Sequence, residues 1–117
     1  MKKVKSMFLS EPVFNIWFDV YIGVPFEETL ELYDDSEYIQ SCGHKQEVNG
    51  RCIYDAKNSY YFIRLEKKDW CLELFIHELV HMLHFQLENW NLWYGDSFEI
   101  LAYMMQYFVK EFRKKLK

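Results

Sequence analysis

Two stretches near the C-terminus repeat apolar residues every three or four positions, the spacing of one helix face. The first runs from about residue 70 to Glu88, and Asp69 is placed to cap its N-terminus. The second begins at Asp96 or Ser97 and runs to Leu116. Its predicted core stripe is Phe98, Leu101, Ala102, Met105, Phe108, Val109 and Phe112. With the loop 89–96 between them, these stretches predict two long helices.

The N-terminal half carries shorter β-branched and aromatic runs, which are typical of strands. Residues 13–22 form one predicted strand, and residues 47–55 and 59–66 form a predicted β-hairpin. Between them, a proline followed by acids predicts a short helix over residues 25–34, and 35–46 is predicted as a loop. This order predicts a small α+β domain in which N-terminal strands and a hairpin precede two long helices.

Length and composition agree with one domain over residues 1–117. Half of the residues are apolar and a fifth are aromatic, which suffices for a core and argues against disorder. The net charge of −4 lacks the basic footprint of a nucleic-acid binder. No uncharged apolar stretch is long enough for a membrane span, and no signal peptide is expected. The three cysteines, without a C-x-x-C spacing, favour reduced thiols and a cytoplasmic location.

The polar side chains of the first long helix are concentrated along one stripe of an otherwise apolar surface. The stripe consists of Trp70, Leu74, His77, His81, His84 and Glu88. The nearly continuous apolar surface predicts a buried helix, and an imidazole buried without a partner costs on the order of 1–3 kcal/mol. His77 and His81 stand four residues apart on one face, so both can bind one tetrahedral ion, with zinc as the expected occupant. Partnered core histidines, or a surface helix unrelated to metal binding, are the alternatives.

Glu78 directly follows the first histidine and therefore points about a quarter-turn away from it. It misses the metal but can reach a water held there, which is where a general base activates water for attack on a carbonyl. A third protein ligand is still needed. Glu99, in the first turn of the last helix, is the candidate, and Asp96 is the alternative. As a further alternative, Glu99 is an acidic residue whose only role is a favourable interaction with the positive end of the helix dipole.

These residues resemble a known family. The stretch H77-E-L-V-H81, followed by E99-I-L-A-Y103, is similar to the gluzincin branch of zinc metallopeptidases, in particular to small single-domain zincin-like proteins of phages and prophages. There a strand hairpin precedes the H-E-x-x-H helix and an E-x-x-A-Y helix closes the domain. The resemblance covers about residues 47–108. It implies a zincin-like fold, zinc ligands His77, His81 and Glu99, and Glu78 as general base.

Other residues near the motif have more than one possible role. Tyr103 is the preferred oxyanion donor, with Tyr94 and Arg51 as alternatives. His84 is either part of a pocket wall or a packed side chain. The strand-like run 60–65 is either an edge strand, to which a peptide substrate adds by main-chain hydrogen bonds, or a central strand.

A second cluster of candidate ligands has the spacing C-x-H-x7-C. It consists of Cys42, His44 and Cys52, and it lacks a fourth ligand for a second zinc site, so ordinary thiols are the alternative. Downstream, Trp90, Trp93 and Tyr94 belong to the loop after the first long helix. They form either a substrate wall, a partner surface, or a cover over the helix ends.

The function expected from these residues is that of a zinc-dependent metallopeptidase. Peptides or proteins are its substrates, Zn²⁺ is its cofactor, and Glu78 is its general base. The alternative is a non-catalytic zinc-binding interaction protein of phage type on a zincin scaffold, because fold alone does not imply function. A metal-free apolar interaction domain is a third possibility. Nucleic acid and membranes are not expected partners, and the sequence does not determine the oligomeric state.

Overall fold

The computed structural model describes residues 5–23, 39–42, 50–56, 58–65, 71–90 and 97–116. Five strands and two helices lie in these ranges, which confirms the α+β class. The strands are β1 Lys5–Glu11, β2 Ile16–Ile22, β3 Ile39–Ser41, β4 Gly50–Asp55 and β5 Tyr60–Leu65. The helices are α1 Cys71–Asn89 and α2 Ser97–Leu116. Neither described helix is long and apolar enough to cross a membrane.

The strands form one mixed sheet in the order β1-β2-β5-β4-β3. Only β2 and β5 run parallel, and the other neighbouring pairs are antiparallel. The predicted hairpin is confirmed as β4 and β5, with Cys52 opposite Ile63. Its turn is fastened by the Asp55 carboxylate, which accepts hydrogen bonds from the backbone N–H and the side-chain amide of Asn58 at 3.3 and 2.7 Å.

The N-terminal strand prediction is wrong in its boundary. Residues 12–15 form a turn rather than the beginning of the strand predicted over 13–22. The Glu11 carboxylate accepts the backbone N–H groups of Val13 and Phe14 at 2.6 and 2.7 Å, and Asn15 has a φ of 57°. These interactions reverse the chain, so β2 starts at Ile16 and pairs with β1, a strand that the sequence pattern did not predict.

Both helices contact the sheet, α1 on the β4 and β5 side and α2 on the β1 side. The Phe18 ring of β2 lies 4.8 Å from Phe108, and Phe75 of α1 stacks on Phe112 of α2 at 4.1 Å. Such aromatic pairs add to the hydrophobic stabilisation of the core.

The core face of α2 differs from the predicted stripe. Its fully buried side chains are Met104, Phe108 and Phe112, which repeat every four residues. Phe98 is 58% exposed and Ala102 is also exposed, so both predicted core positions are wrong. Because Ala102 faces solvent, it does not bring the helices close together, as its small size suggested.

Strand β5 lies in the middle of the sheet, between β2 and β4. This excludes residues 60–65 as an edge strand for an added peptide. Residues 39–41, predicted as loop, form β3 instead and pair with β4. The sheet supplies the pairing partner that a local pattern does not reveal. The predicted helix 25–34 lies outside the described residues, as does most of the loop 35–46.

Candidate metal centre

Helix α1, which carries the H-E-L-V-H sequence, is buried on one side only. Phe75, Leu79 and Met82 face the sheet and are fully buried, with the three- or four-residue spacing of a helix face. The side chain of His77 is 60% exposed and that of His84 is 43% exposed. The expectation of buried imidazoles is therefore wrong for these two histidines, because the fully buried apolar side chains of α1 gather on its sheet-facing side.

The two histidines of the motif lie side by side. The ring centroids of His77 and His81 are 4.9 Å apart and the ring planes meet at 77°. Residues four apart on a helix are neighbours on one face, which explains the contact. Zinc binds imidazole nitrogen at about 2.0–2.1 Å, so two rings this close fit one shared ion. The donor set therefore fits two of the ligands of a zinc site.

Glu78 points from the same helix turn into the space between α1 and β4. The residue is only 6% exposed, and its Oε2 atom lies 4.0 Å from Nε2 of His77. A Cβ atom on Gly50 would come within 3.2 Å of Glu78 Cγ and 3.3 Å of Oε2. The missing side chain at Gly50 thus leaves room for the carboxylate. An ion on Nε2 of His77 would lie close to this carboxylate, as general-base catalysis requires.

The structure does not bring Glu99 to the histidine pair. Phe75 stacks on Phe112, and the two helices run antiparallel, since residues near the end of α1 and the start of α2 share contacts with Phe14. At about 1.5 Å per residue, Glu99 lies roughly 10 Å beyond His81 along the helix pair. Its side chain is exposed, in the first turn of α2.

No three His, Cys, Asp or Glu side chains are grouped to hold an ion anywhere in the described ranges. The alternative ligand Asp96 lies outside those ranges. The role of Glu99 as third ligand stays a prediction, as does that of Asp96.

The Tyr103 side chain interacts with the end of β1 and the turn between β1 and β2. Its hydroxyl donates a hydrogen bond of 2.9 Å to the buried Glu11 carboxylate, and its ring lies 6.0 Å from that of Phe14. The hydrogen bond to Glu11 raises the pKa of the Tyr103 hydroxyl. This contact fastens α2 to the β1–β2 turn. An oxyanion role for Tyr103 stays a prediction. Among the alternative donors, Tyr94 lies outside the described residues and Arg51 is half-buried in β4.

His84 pairs with Glu88 one turn later, with Nε2 and Oε1 at 2.9 Å. This i,i+4 contact supports the reading of a side chain engaged on the helix surface rather than a metal ligand.

Cys42 and Cys52 lie opposite each other where β3 and β4 meet. The Cys42 backbone N–H donates to the Cys52 carbonyl at 3.0 Å, and all three cysteines are free thiols. Burial raises the pKa of the Cys52 thiol, and the Cys42 thiol and the Glu78 carboxylate raise it further. His44 lies outside the described residues, so a third donor of the proposed second zinc site stays a prediction.

Two structural contacts of this site have no signal in the sequence. Gly50 makes room for Glu78, and Glu11 holds Tyr103 across 92 residues of chain. Neither pair has a characteristic spacing, because each is created by packing of distant segments.

Comparisons with known proteins identify no relative. No family model matches the chain, and no curated protein or solved structure is significantly similar to it.

Proposed function

We propose that this protein is a zinc-dependent peptide hydrolase of gluzincin type. The observation that carries the proposal is the joint geometry of three residues of the motif, His77, Glu78 and His81. His77 and His81 present adjacent imidazoles on an accessible helix face, and the Glu78 carboxylate lies 4.0 Å from Nε2 of His77. This is the arrangement expected for two ligands and a neighbouring base.

The three residues would have separate roles. His77 and His81 would bind the ion through their imidazole nitrogens, and the third ligand stays a prediction, with Glu99 and Asp96 as the candidates. When bound, Zn²⁺ polarises a scissile carbonyl and lowers the pKa of a water molecule. Glu78 would take a proton from the attacking water and deliver it to the leaving amine. Its packing against Gly50 restricts the side chain to the space beside His77, which favours one orientation of the base.

Elemental analysis of the purified, untagged protein tests the metal site. We expect about one zinc per chain, which His77→Ala removes. His84→Ala is the matched control, because His84 lies on the same helix and pairs with Glu88. It should leave the zinc content unchanged. A protein that takes up no zinc at neutral pH, or loses it equally in both variants, would refute the proposed site.

Hydrolysis is tested separately with a peptide library and the Glu78→Gln variant. This variant should keep its zinc and lose peptide cleavage, since the amide is not a base at neutral pH. Cleavage that survives Glu78→Gln would exclude the assigned mechanism even if the zinc site is correct.

One observation favours a second candidate function, a zinc-binding interaction protein without hydrolytic activity. The Tyr103 hydroxyl donates to Glu11 and is thus engaged away from the histidine pair. Without an oxyanion donor, hydrolysis would lose a contribution that is commonly about 10²–10³ in kcat. In this case the zinc content follows His77 as above, but no peptide is cleaved and Glu78→Gln leaves partner binding intact.

A further inference from the structure

A cavity of about 310 Å³ lies at the end of the sheet opposite the motif, where the last turn of α1 meets the starts of β2 and β5. Trp17, Tyr54, Tyr61 and Trp90 supply aromatic rings to its lining. The neutral polar residues of the lining are Asn15, Ser59, Gln86 and Asn89. His77 and His81 do not contribute, so this cavity is separate from the candidate metal centre. Its volume is at the small end for ligand pockets.

The charge environment of the cavity favours a cation. Among the described residues that line it, none carries a charged side chain. The faces of aromatic rings are negative, and an ammonium group over such a face is attracted to it. An anion would be repelled by the same rings. Rings that turn their faces to the cavity would therefore favour a cation over an anion, and no carboxylate of the described lining residues would pair with it.

The end of α1 adds to this preference. A helix carries about half a negative charge at its C-terminus, and lysine or arginine in the last turn normally balances it. The last turn of α1 has no basic residue and contains Glu88, whereas that of α2 contains Arg113, Lys114 and Lys115. Gln86, Asn89 and Trp90, at the negative end of α1, line the cavity. A bound cation would supply the missing balance.

Hydrogen bonds hold the lining in place. The Tyr61 hydroxyl donates to Oε1 of Gln86, and its side chain also interacts with Asn89. Tyr54 and Tyr61 pack together at 4.8 Å, and Trp90 packs on Phe14 at 6.2 Å. A lining fixed in this way loses little conformational freedom when a ligand enters.

We propose that this aromatic cavity binds an organic cation through its ammonium group. The same chemistry is offered by a free small molecule of choline type and by a methylated lysine side chain of a peptide. The fit rests on aromatic rings, a helix end whose last turn has no basic residue and a lining of neutral side chains, and it is independent of any metal at His77 and His81.

Isothermal titration calorimetry with choline and its neutral carbon isostere, 3,3-dimethyl-1-butanol, tests the role of charge. Choline should bind more tightly, by roughly 2- to 30-fold for each ring that faces the cation. Equal affinities would show an apolar pocket without preference for charge and would overturn the proposal, as would the absence of choline binding. N-acetyl-trimethyllysine amide identifies the source: tighter binding than choline indicates a peptide ligand, and equal or weaker binding indicates a free small molecule.

Substitutions at the exposed Asn89 provide a second test, and because both variants lose the interaction with Tyr61, they differ mainly in charge. Asn89→Lys places a cation at the cavity and at the helix C-terminus, so it should lower choline affinity at least about 10-fold by charge repulsion. The same lysine favours the helix dipole, so its thermal stability should equal or exceed that of Asn89→Met, which loses the same interaction with Tyr61. Asn89→Met, of similar length but neutral, should keep choline affinity within about 3-fold of the wild type. Unchanged choline affinity in Asn89→Lys would overturn the proposal.

Discussion

Gly50 lies against the carboxylate of the proposed general base, and one added methyl group tests this contact. A Cβ atom there would lie 3.2 Å from the Arg64 carbonyl oxygen, 3.2 Å from Glu78 Cγ and 3.3 Å from Glu78 Oε2. These distances are shorter than ordinary van der Waals contacts. Gly50→Ala should therefore push the Glu78 side chain away by a few tenths of an ångström.

Two opposing contributions set the change in the free energy of unfolding caused by Gly50→Ala. Overpacking a well-filled site typically costs about 1–3 kcal/mol. Replacing glycine by alanine returns about 0.4–1 kcal/mol through a less flexible unfolded chain. We expect a net loss of about 1 kcal/mol in the free energy of unfolding. With an unfolding entropy of about 2 cal/mol/K per residue, this lowers Tm by about 4 °C for a domain of this length.

Urea denaturation of the variants in a double-mutant cycle tests whether the fall in the free energy of unfolding comes from the contact with Glu78. In a Glu78→Ala background, two of the three close contacts disappear and only that with the Arg64 carbonyl oxygen remains. The cost of Gly50→Ala should shrink there by about 0.5 kcal/mol or more. The same cost in both backgrounds would refute the packing of Glu78 against Gly50, and a more stable Gly50→Ala protein would refute the crowding altogether.

Three further predictions concern other parts of the fold. Burial raises the pKa of Tyr61 above that of tyrosine in the unfolded chain. The contribution of its neutral hydroxyl to the free energy of unfolding is therefore complete below about pH 10 and falls at higher pH, by about 1.4 kcal/mol at pH 11. Tyr61→Phe should show a correspondingly smaller loss between pH 8 and pH 11 in urea denaturation, and an equal loss would contradict this. Glu11→Gln should cost about 1–3 kcal/mol, because an amide cannot accept all three hydrogen bonds made by this buried carboxylate, and wild-type stability in urea would count against it. Cys42 and Cys52 lie directly opposite each other, so glutathione disulfide should remove two of the three free thiols in a thiol titration, and Cys42→Ser should keep Cys52 reduced.

Much of the fold from residue 50 onward follows from local sequence patterns. Both long helices and the β4–β5 hairpin were predicted within a few residues, because helix periodicity, capping residues and alternating apolar runs act over short distances. The contact between His77 and His81 is equally local, since a helix places residues four apart on one face.

Residues that meet only through packing were not predictable in this way. The strands β1 and β3 depend on neighbours in the sheet for their hydrogen bonds. The exposure of Phe98, the central position of β5 and the bond between Glu11 and Tyr103 depend equally on how distant segments meet.

The helices and the hairpin follow from the local sequence, because each depends on neighbours within about one or two helical turns. The sheet order, the room that Gly50 leaves for Glu78, and the roughly 10 Å offset of Glu99 from His81 along the helix pair arise only in the folded molecule. It also created the aromatic cavity, whose lining comes from β2, the hairpin and the end of α1. The physical reason is that these features depend on the packing of segments far apart in the chain, which no local pattern encodes.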